Sequence, residues 1–366
     1  YKGDMFYRKL GSLIAFEAGE TVTYGLLSAQ DRGTLFVGAG EKADEIADGD
    51  LLLIDGAAGE VVAQPDEQTL ADFAERQKAD AAHRAMLAQY KDKEGATSDG
   101  RRVIIEGNIG TPDDAVRVAE LGGEGVGLFR SEFLFMDRTD LPSEEEQFAA
   151  YKKACEIMQG KPVIIRTLDI GGDKEVPALA LEQEQNPFLG YRAIRICLNQ
   201  PELFLIQLRA LLRAAQYGDL RIMFPMISSV DEVRDAKQVL EQAKDMLTAE
   251  GVPFNPNVKV GIMVEIPVAA VCADVLAKEV DFFSIGTNDL IQYSCAVDRI
   301  NEKISYLYRP LHPGVLRLIA MTAKAANENG IEVGVCGEMA GTAGMAPVLC
   351  GLGVTNLSMS ASAMLA

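Results

Sequence analysis

The feature that most constrains the fold of this chain is an alternation that starts near Arg102. Short apolar, often β-branched runs are separated by amphipathic segments of helix length. This pattern is typical of parallel strands covered by helices, because both faces of such strands are buried. The predicted strands are residues 103–108, 125–129, 163–168, 220–225, 259–265, 282–287, 332–336 and 356–359. Eight strands fit a closed (β/α)8 barrel, although alternation alone also fits an open doubly wound sheet.

Polar and charged residues at the ends of these runs favour the barrel. Arg130, Glu265 and Cys336 each stand at the carboxyl end of a different predicted strand. Barrel enzymes build their sites from residues at these strand ends. We therefore predict an α/β fold with a TIM barrel over residues 95–366. Because little sequence follows the eighth strand, the helix that would close the barrel is expected to be missing.

Two further segments precede the predicted barrel. Residues 1–65 contain short β-like runs separated by Gly-rich turns, which indicates part of a small α/β domain. Residues 66–94 contain no Gly or Pro and are rich in Ala, Gln, Glu and Lys, with Asp66 in a starting position. We interpret this second segment as one linker helix.

Charge and cysteine content exclude several classes of function. The formal net charge is −19, which opposes binding to nucleic acid or to an anionic membrane. No apolar run of about 18 residues and no charged-then-apolar leader is present, so no membrane span or signal peptide is predicted. The six cysteines show no CxxC spacing, which is typical of reduced thiols in a cytoplasmic protein.

Basic residues at strand ends and in the neighbouring loops form a candidate anion site. A single arginine would more often be a surface ion pair, but several at one rim of an acidic protein favour binding. Arginine is suited to a bidentate grip on phosphate or carboxylate. The candidates are Arg130, Arg166, Lys174 and Arg192.

Two carboxylates at neighbouring strand ends form a candidate metal site. Glu265 ends predicted strand five and Asp289 follows strand six. Few protein carboxylates, with water and substrate oxygens, suit Mg²⁺. The alternative is that Asn288 or Asp289 simply caps the following helix. Beside a phosphate-sized basic cluster, metal binding is the better interpretation, because phosphoryl transfer depends on positioning and charge neutralisation.

Other reactive residues give weaker signals. Cys336 lies between glycines at a strand end, where its thiol could donate or accept a proton, whereas a buried Cys is more often a small hydrophobe. His83 and His312 lack partners at a telling spacing, so no Ser-His-Asp hydrolase is indicated and both are expected to be structural. P-loop and dinucleotide-binding glycine patterns are absent.

Several long runs resemble enzyme I of the bacterial phosphoenolpyruvate:sugar phosphotransferase system. The similarity extends over about residues 95–361, and the runs are 125–136, 166–174, 186–192, 282–290 and 336–338. The resemblance implies a barrel that binds phosphoenolpyruvate (PEP) with Mg²⁺, a swivelling domain with a phosphate-accepting histidine, the phosphocarrier protein HPr as partner, and a homodimer. It implies that PEP is bound by Arg130, Arg166, Lys174, Arg192, Asn288 and Arg299, that Mg²⁺ is bound by Glu265 and Asp289, and that Cys336 protonates the enolate of pyruvate.

The sequence departs from this family at the phosphate acceptor. Residues 21–40 resemble the segment that carries a Thr-Ser-His motif in the family, but the three positions read Thr21, Val22 and Thr23. No histidine occurs in residues 1–82, which we therefore interpret as including a partial, His-less swivelling domain over residues 1–65. This chain alone is expected to bind PEP without transferring the phosphoryl group to HPr.

The absence of the acceptor leaves alternatives open. The chain is either a fragment of such a phosphotransferase, or a regulatory PEP sensor that has lost catalysis. A barrel from a pyruvate phosphate dikinase or PEP synthase relative is also compatible with much of the sequence. Residues 169–174, which read Asp-Ile-Gly-Gly-Asp-Lys, favour the enzyme I interpretation.

Overall fold

A computed structural model shows a chain that divides into two compact units at the boundary between Lys91 and Asp92. The residues that the structure describes are 25–26, 51–55, 60–136, 138–171, 176–179, 181–182, 184–301, 303–342 and 344–365. Lys174 therefore lies outside the described residues, as do the Thr21–Thr23 positions of the expected histidine motif.

The described part of the first unit contains a small sheet and one long helix. Strands β1 (Gly25–Leu26), β2 (Leu52–Asp55) and β3 (Glu60–Ala63) pair antiparallel in that order. Helix α1 (Glu67–Leu87) follows, in the segment for which the sequence predicts a linker helix. It begins next to Asp66, whose side chain accepts a hydrogen bond from the backbone N–H of Thr69 at 2.7 Å.

Eight parallel strands of the second unit close into a barrel, which confirms the predicted TIM-barrel class. The strands are β4 (Ile104–Ile109), β5 (Val126–Arg130), β6 (Val163–Arg166), β7 (Leu220–Phe224), β8 (Lys259–Val264), β9 (Phe282–Ile285), β10 (Glu332–Val335) and β11 (Asn356–Ser360). Strand β11 pairs with β4, with Asn356 opposite Ile104, so the open-sheet alternative is wrong.

Helices cover the barrel between successive strands. They are α2 (Asp114–Glu120), α3 (Glu144–Met158), α4 (Ile194–Asn199), α5 (Pro201–Ala214), α6 (Val230–Ala249), α7 (Pro267–Val271), α8 (Ala273–Leu276), α9 (Thr287–Cys295), α10 (Pro313–Asn329) and α11 (Met345–Gly351). His312 caps α10 by accepting a hydrogen bond from the backbone N–H of Gly314 at 3.1 Å, so its predicted structural role is confirmed. None of the helices in the described part of the chain is long and apolar enough to cross a membrane.

The middle of the barrel interior is apolar, and polar residues follow it at the carboxyl ends of the same strands. The middle is a cluster of buried side chains contributed by Leu128, Ile164, Met223, Met263, Phe282 and Cys336. Alternate residues of a strand share one face, so the residue two positions further along also faces inward, nearer the carboxyl end. By this rule Arg130, Arg166 and Glu265 face inward at the mouth, because each stands two positions after an inward-facing residue. Those residues are Leu128, Ile164 and Met263 respectively.

The opposite, amino-terminal end of the barrel holds a second polar group. Arg221 pairs with Asp219 and with Glu332, each at 2.8 Å. Glu106 is 2% exposed, and burial raises the pKa of its carboxyl to about 7 although Arg221 acts in the opposite direction. Gly127 makes room for it, since a Cβ there would lie 2.7 Å from Oε2 of Glu106.

Candidate functional site

The sequence-predicted site residues that the structure describes lie at the carboxyl end of the barrel. Arg130 and Arg166 are the last residues of β5 and β6 and stand opposite each other in the strand register. Glu265 and Cys336 follow β8 and β10 directly, and Asn288 and Asp289 lie in the first turn of α9. Arg192 precedes α4, whereas Arg299 lies in the loop after α9.

Arg166 is buried between two carboxylates. Its side chain is 8% exposed, and Nη1 lies 2.7 Å from Oδ2 of Asp169 while Nη2 pairs with Glu132. Burial by itself would lower the pKa of this guanidinium, but Asp169 and Glu132 outweigh that effect and raise it. The result is a fixed positive charge at the mouth of the barrel.

Arg192 reaches the same carboxylate from a later part of the connection between β6 and α4. Its Nη2 lies 2.9 Å from Oδ1 of Asp169 and 3.3 Å from Oδ2 of Asp289, and its Nη1 donates to the hydroxyl of Tyr293 at 3.1 Å. Gly171 permits this approach, because its φ is +105° and a Cβ there would lie 2.5 Å from Cβ of Arg192. Asp169 therefore holds two arginines side by side.

Each of these arginines keeps one donor available. Among the described side chains, Nε of Arg166 and Nε of Arg192 are buried without a hydrogen-bond partner. Buried donors are normally paired, so two such groups at one site indicate a missing partner. An oxyanion is the partner that guanidinium groups suit best.

Glu265 and Asp289 form a pair of carboxylates beside the arginines. Glu265 is 2% exposed and accepts a hydrogen bond from the backbone N–H of Met226 at 2.6 Å. Burial, followed by the charges of Asp289 and Asp169, raises the pKa of Glu265 to about 8, although Arg166 and Arg192 oppose the rise. A bound cation would relieve this repulsion and favour the ionised carboxylate.

The donor set fits a cation that takes few protein ligands. Within the described residues, no three Asp, Glu, His or Cys side chains form a metal site by themselves. Two carboxylates with remaining positions for water and substrate oxygen are nevertheless an arrangement that Mg²⁺ uses. The capping alternative for Asn288 and Asp289 is wrong, since α9 has Gly286 as its N-cap and no side-chain cap.

Cys336 is a buried thiol close enough to Glu265 to be affected by its charge. It is 3% exposed, and its Sγ lies 3.8 Å from the carbonyl oxygen of Ile285. Burial raises the pKa of the thiol to about 11, although Ser284 and Arg166 act in the opposite direction. The group is therefore protonated at neutral pH, which suits a proton donor better than a nucleophile.

Asn288 connects two loops at the rim. Its Oδ1 accepts a hydrogen bond from the backbone N–H of Glu338 at 3.1 Å, and the hydroxyl of Tyr308 lies 3.5 Å from the same atom. Burial and then Glu338 raise the pKa of Tyr308, while the charge of Arg299 opposes the rise. Arg299 thus lies within electrostatic range of Tyr308, and its backbone N–H donates to Oε1 of Gln292 at 3.1 Å.

Sequence reasoning missed the carboxylate and hydroxyl partners of the arginines. Glu132 stands two residues after Arg130, and Asp169 stands three residues after Arg166. Both carboxylates therefore lie in the same runs as the candidate arginines. The signal that could have found them is this close alternation of opposite charges at strand ends. Tyr293 carries no comparable signal, because it stands within a helix far from Arg192 in sequence.

Comparison with known families assigns most of the chain. A family model described as the PEP-binding domain of PEP-utilising enzymes matches residues 84–366. A second, short match covers residues 10–46 and is described as the TypA/BipA C-terminal domain. That match includes residues 21–40, so the swivelling-domain assignment of this segment stays a prediction. Apart from β1, these residues lie outside the described part of the chain.

Individual relatives agree with the longer match. A phosphoenolpyruvate-protein phosphotransferase from Priestia megaterium is 53% identical over 329 residues, which are 90% of this chain and 57% of that protein. One from Staphylococcus carnosus is 49% identical over 347 residues, covering 95% of this chain and 61% of that protein. The chain thus spans about three fifths of these relatives. A solved HpcH/HpaI aldolase/citrate lyase family protein from Burkholderia cenocepacia is 16% identical, with TM-score 0.46, covering 76% of this chain and 93% of that one.

Proposed function

The chain belongs to the PEP-utilising enzyme family, and on that premise we propose that its barrel is the PEP-binding part of an enzyme I-type phosphotransferase. The observation that carries the proposal is the pair of buried arginines, Arg166 and Arg192, that Asp169 holds beside Glu265 and Asp289. PEP bears both a phosphate and a carboxylate, and two or more arginines can grip both. The relatives that share half of the sequence are named for this activity.

We propose the following division of roles. The anion is held by Arg130, Arg166, Lys174, Arg192, Asn288 and Arg299. Glu265 and Asp289 hold Mg²⁺, which when bound neutralises charge on the phosphoryl group. The unpartnered Nε atoms of Arg166 and Arg192 supply donors at the same place.

Cys336 is proposed as the proton donor of the reaction. When the phosphoryl group passes to an acceptor histidine, which the first 82 residues do not supply, a bond between phosphorus and the imidazole nitrogen forms. The bond between phosphorus and the enol oxygen breaks, and its electron pair stays on the enolate of pyruvate. The Sγ–H bond of Cys336 then breaks, its proton forms a new C–H bond at C3, and solvent returns a proton to the thiolate. The raised pKa of this thiol keeps it protonated until the enolate appears.

The phosphoryl acceptor is not provided by the first 82 residues, which contain no histidine. We therefore propose that this chain binds PEP but does not phosphorylate HPr by itself. A homodimer is proposed from the resemblance to enzyme I, and a cytoplasmic location from the six cysteines without CxxC spacing. Phosphorylation of HPr by this chain alone would contradict the first of these statements.

The test is a calorimetric titration of the purified chain with PEP, with and without Mg²⁺. We expect metal-dependent binding that Arg166→Ala abolishes and Asp289→Ala weakens. The control is Arg138→Ala, which removes an arginine that pairs on the surface with Asp140 and Glu146. If the native chain shows no binding, or if Arg138→Ala and Arg166→Ala lose the same affinity, the proposed function is wrong.

A further inference from the structure

Helix α5 carries one buried polar residue on an otherwise apolar face. Gln207 is 1% exposed and lies among buried residues of this helix such as Leu203, Phe204 and Leu211. A buried amide must find hydrogen-bond partners, because an unpaired one is unfavourable in an apolar environment. The partners of Gln207 all lie outside its own helix.

The side chain of Gln207 makes three hydrogen bonds. Its Oε1 accepts from the backbone N–H of Leu168 at 2.8 Å. Its Nε2 donates to Oγ of Ser131 and to the hydroxyl of Tyr151, each at 3.0 Å. Tyr151 in turn donates to Oε1 of Gln147 at 3.1 Å, which fixes that arm of the network on α3.

The other two hydrogen bonds of Gln207 reach the segments that follow β5 and β6, which carry site residues. Ser131 follows Arg130 directly, and its Oγ donates to the carbonyl oxygen of Arg166 at 2.6 Å. Leu168 stands between Arg166 and Asp169 in the chain. Gln207 therefore holds the backbone of residues 166–169 at two points, one direct and one through Ser131.

We infer that Gln207 is a positioning residue, which fixes the segment of Arg166 and Asp169 in the conformation that binds the anion. The inference rests on the proposed function for its effect on PEP, but not for its effect on the segment itself. The backbone of Leu168 has left the strand ladder, so the Gln207 side chain supplies its hydrogen bond. Partners of this kind orient the residues that touch the ligand.

The test compares Gln207→Met with Tyr151→Phe in the full chain. Methionine keeps the length of the side chain but releases Leu168 and Ser131, whereas Tyr151→Phe removes buried hydrogen bonds on the α3 side only. We expect Gln207→Met to weaken PEP binding in the presence of Mg²⁺ by about tenfold or more, with little change for Tyr151→Phe. Hydrogen exchange over residues 166–171 should become faster in Gln207→Met than in Tyr151→Phe.

The outcomes separate this inference from the proposed function. Equal PEP affinity and equal exchange in the two variants would overturn the role of Gln207. If the native chain does not bind PEP, the proposed function fails, and exchange over residues 166–171 alone decides the inference. If Gln207→Met does not fold, Ser131→Ala replaces it, since this variant breaks the link from Gln207 to the carbonyl of Arg166 and leaves the hydrogen bond between Gln207 and Leu168 in place.

Discussion

Arg192 donates a hydrogen bond through Nη2 to Oδ1 of Asp169 at 2.9 Å, and this pair joins the two ends of the connection between β6 and α4 at the mouth of the barrel. The other oxygen of Asp169 pairs with Arg166 at 2.7 Å. One buried carboxylate thus sets the distance between two guanidinium groups, and it does so before any ligand arrives. The consequences of this arrangement and of its surroundings can be measured.

Replacing Asp169 by asparagine should weaken both the fold and the site. Two buried arginines would lose their shared counter-charge, and we expect the free energy of unfolding to fall by about 3 kcal/mol. PEP affinity should fall as well, because the two guanidinium groups are no longer held at one spacing. Denaturant unfolding and calorimetric titration measure the two effects.

The control for this variant is Asp140→Asn, which breaks an exposed pair with Arg138. Exposed pairs contribute less than about 1 kcal/mol, so stability should barely change. If the two asparagine variants are equally stable and bind PEP equally well, Asp169 does not organise the site.

Replacing Cys336 by alanine should remove proton transfer without removing binding. Proton exchange at C3 of pyruvate needs no phosphoryl acceptor, so the chain should catalyse it in D₂O when Mg²⁺ is present. We expect the rate to fall by about a hundredfold or more in Cys336→Ala, the contribution usual for a general acid or base. Loss of the methyl proton signal of pyruvate in NMR spectra gives the rate.

Cys350→Ala is the matched control, because Cys350 is also a buried thiol but lies on α11. Its exchange rate should equal that of the native chain. An unchanged rate in Cys336→Ala would assign the proton donor to another group.

Replacing Glu106 by glutamine should change how stability depends on pH. The pKa of this carboxyl is raised from 4.5 to about 7 in the fold, so ionisation opposes folding. Its penalty is absent below pH 4.5, grows as pH rises towards 7, and is constant above that value. The free energy of unfolding of Glu106→Gln should therefore exceed that of the native chain by an amount that grows from pH 4.5 and reaches about 3 kcal/mol near pH 7.

Thermal or denaturant unfolding at pH 5 and pH 8 measures this gain. The control is Glu120→Gln, which alters an exposed carboxylate paired with Arg117 at 3.3 Å. Its stability should differ from that of the native chain by less than about 1 kcal/mol at either pH, because exposed pairs contribute little. A pH-independent difference for Glu106→Gln would show that Glu106 titrates normally in the fold.

Replacing Gly337 by alanine should disturb the contact between the end of β10 and the start of α9. A Cβ at this position would overlap Oγ1 of Thr287 and lie 2.8 Å from its backbone nitrogen. We expect a loss of stability of about 1–3 kcal/mol. PEP binding should weaken too, because Cys336 and Asn288 flank the contact. Unfolding and titration again provide the measurements.

Gly351→Ala serves as the comparison, because nothing lies within 4 Å of a Cβ at that position. It should be as stable as the native chain or more stable by up to about 1 kcal/mol. A Gly337→Ala variant that matches it in stability and in binding would mean that the β10 end can shift without consequence.

The strands of the barrel could be predicted from the sequence because periodicity is a local signal, and the polar residues at their ends favoured closure over an open sheet. Each observed strand ends within two residues of its predicted bounds. The largest differences are at β6 and β9, which the sequence predicts to be too long. Beyond Arg166 the apolar run continues, but the N–H of Leu168 bonds to Gln207, and after Ile285 the chain turns into α9. An apolar run in the sequence indicates that its side chains are buried. It does not indicate whether its backbone groups bond to a neighbouring strand or to a side chain.

The sequence by itself determined the eight strands, the helices between them and the residue types at the strand ends, since these follow from patterns within short stretches, whereas closure into a barrel is a property of the tertiary structure. Arg166, Arg192 and Glu265 could be named as site candidates for this reason. Only the tertiary structure decided that Asp169 lies between two arginines, and that Gln207 on an outer helix holds the same segment. Arg192 and Gln207 follow Asp169 and Leu168 by 23 and 39 residues, and the return of the chain over the end of β6 brings these partners together.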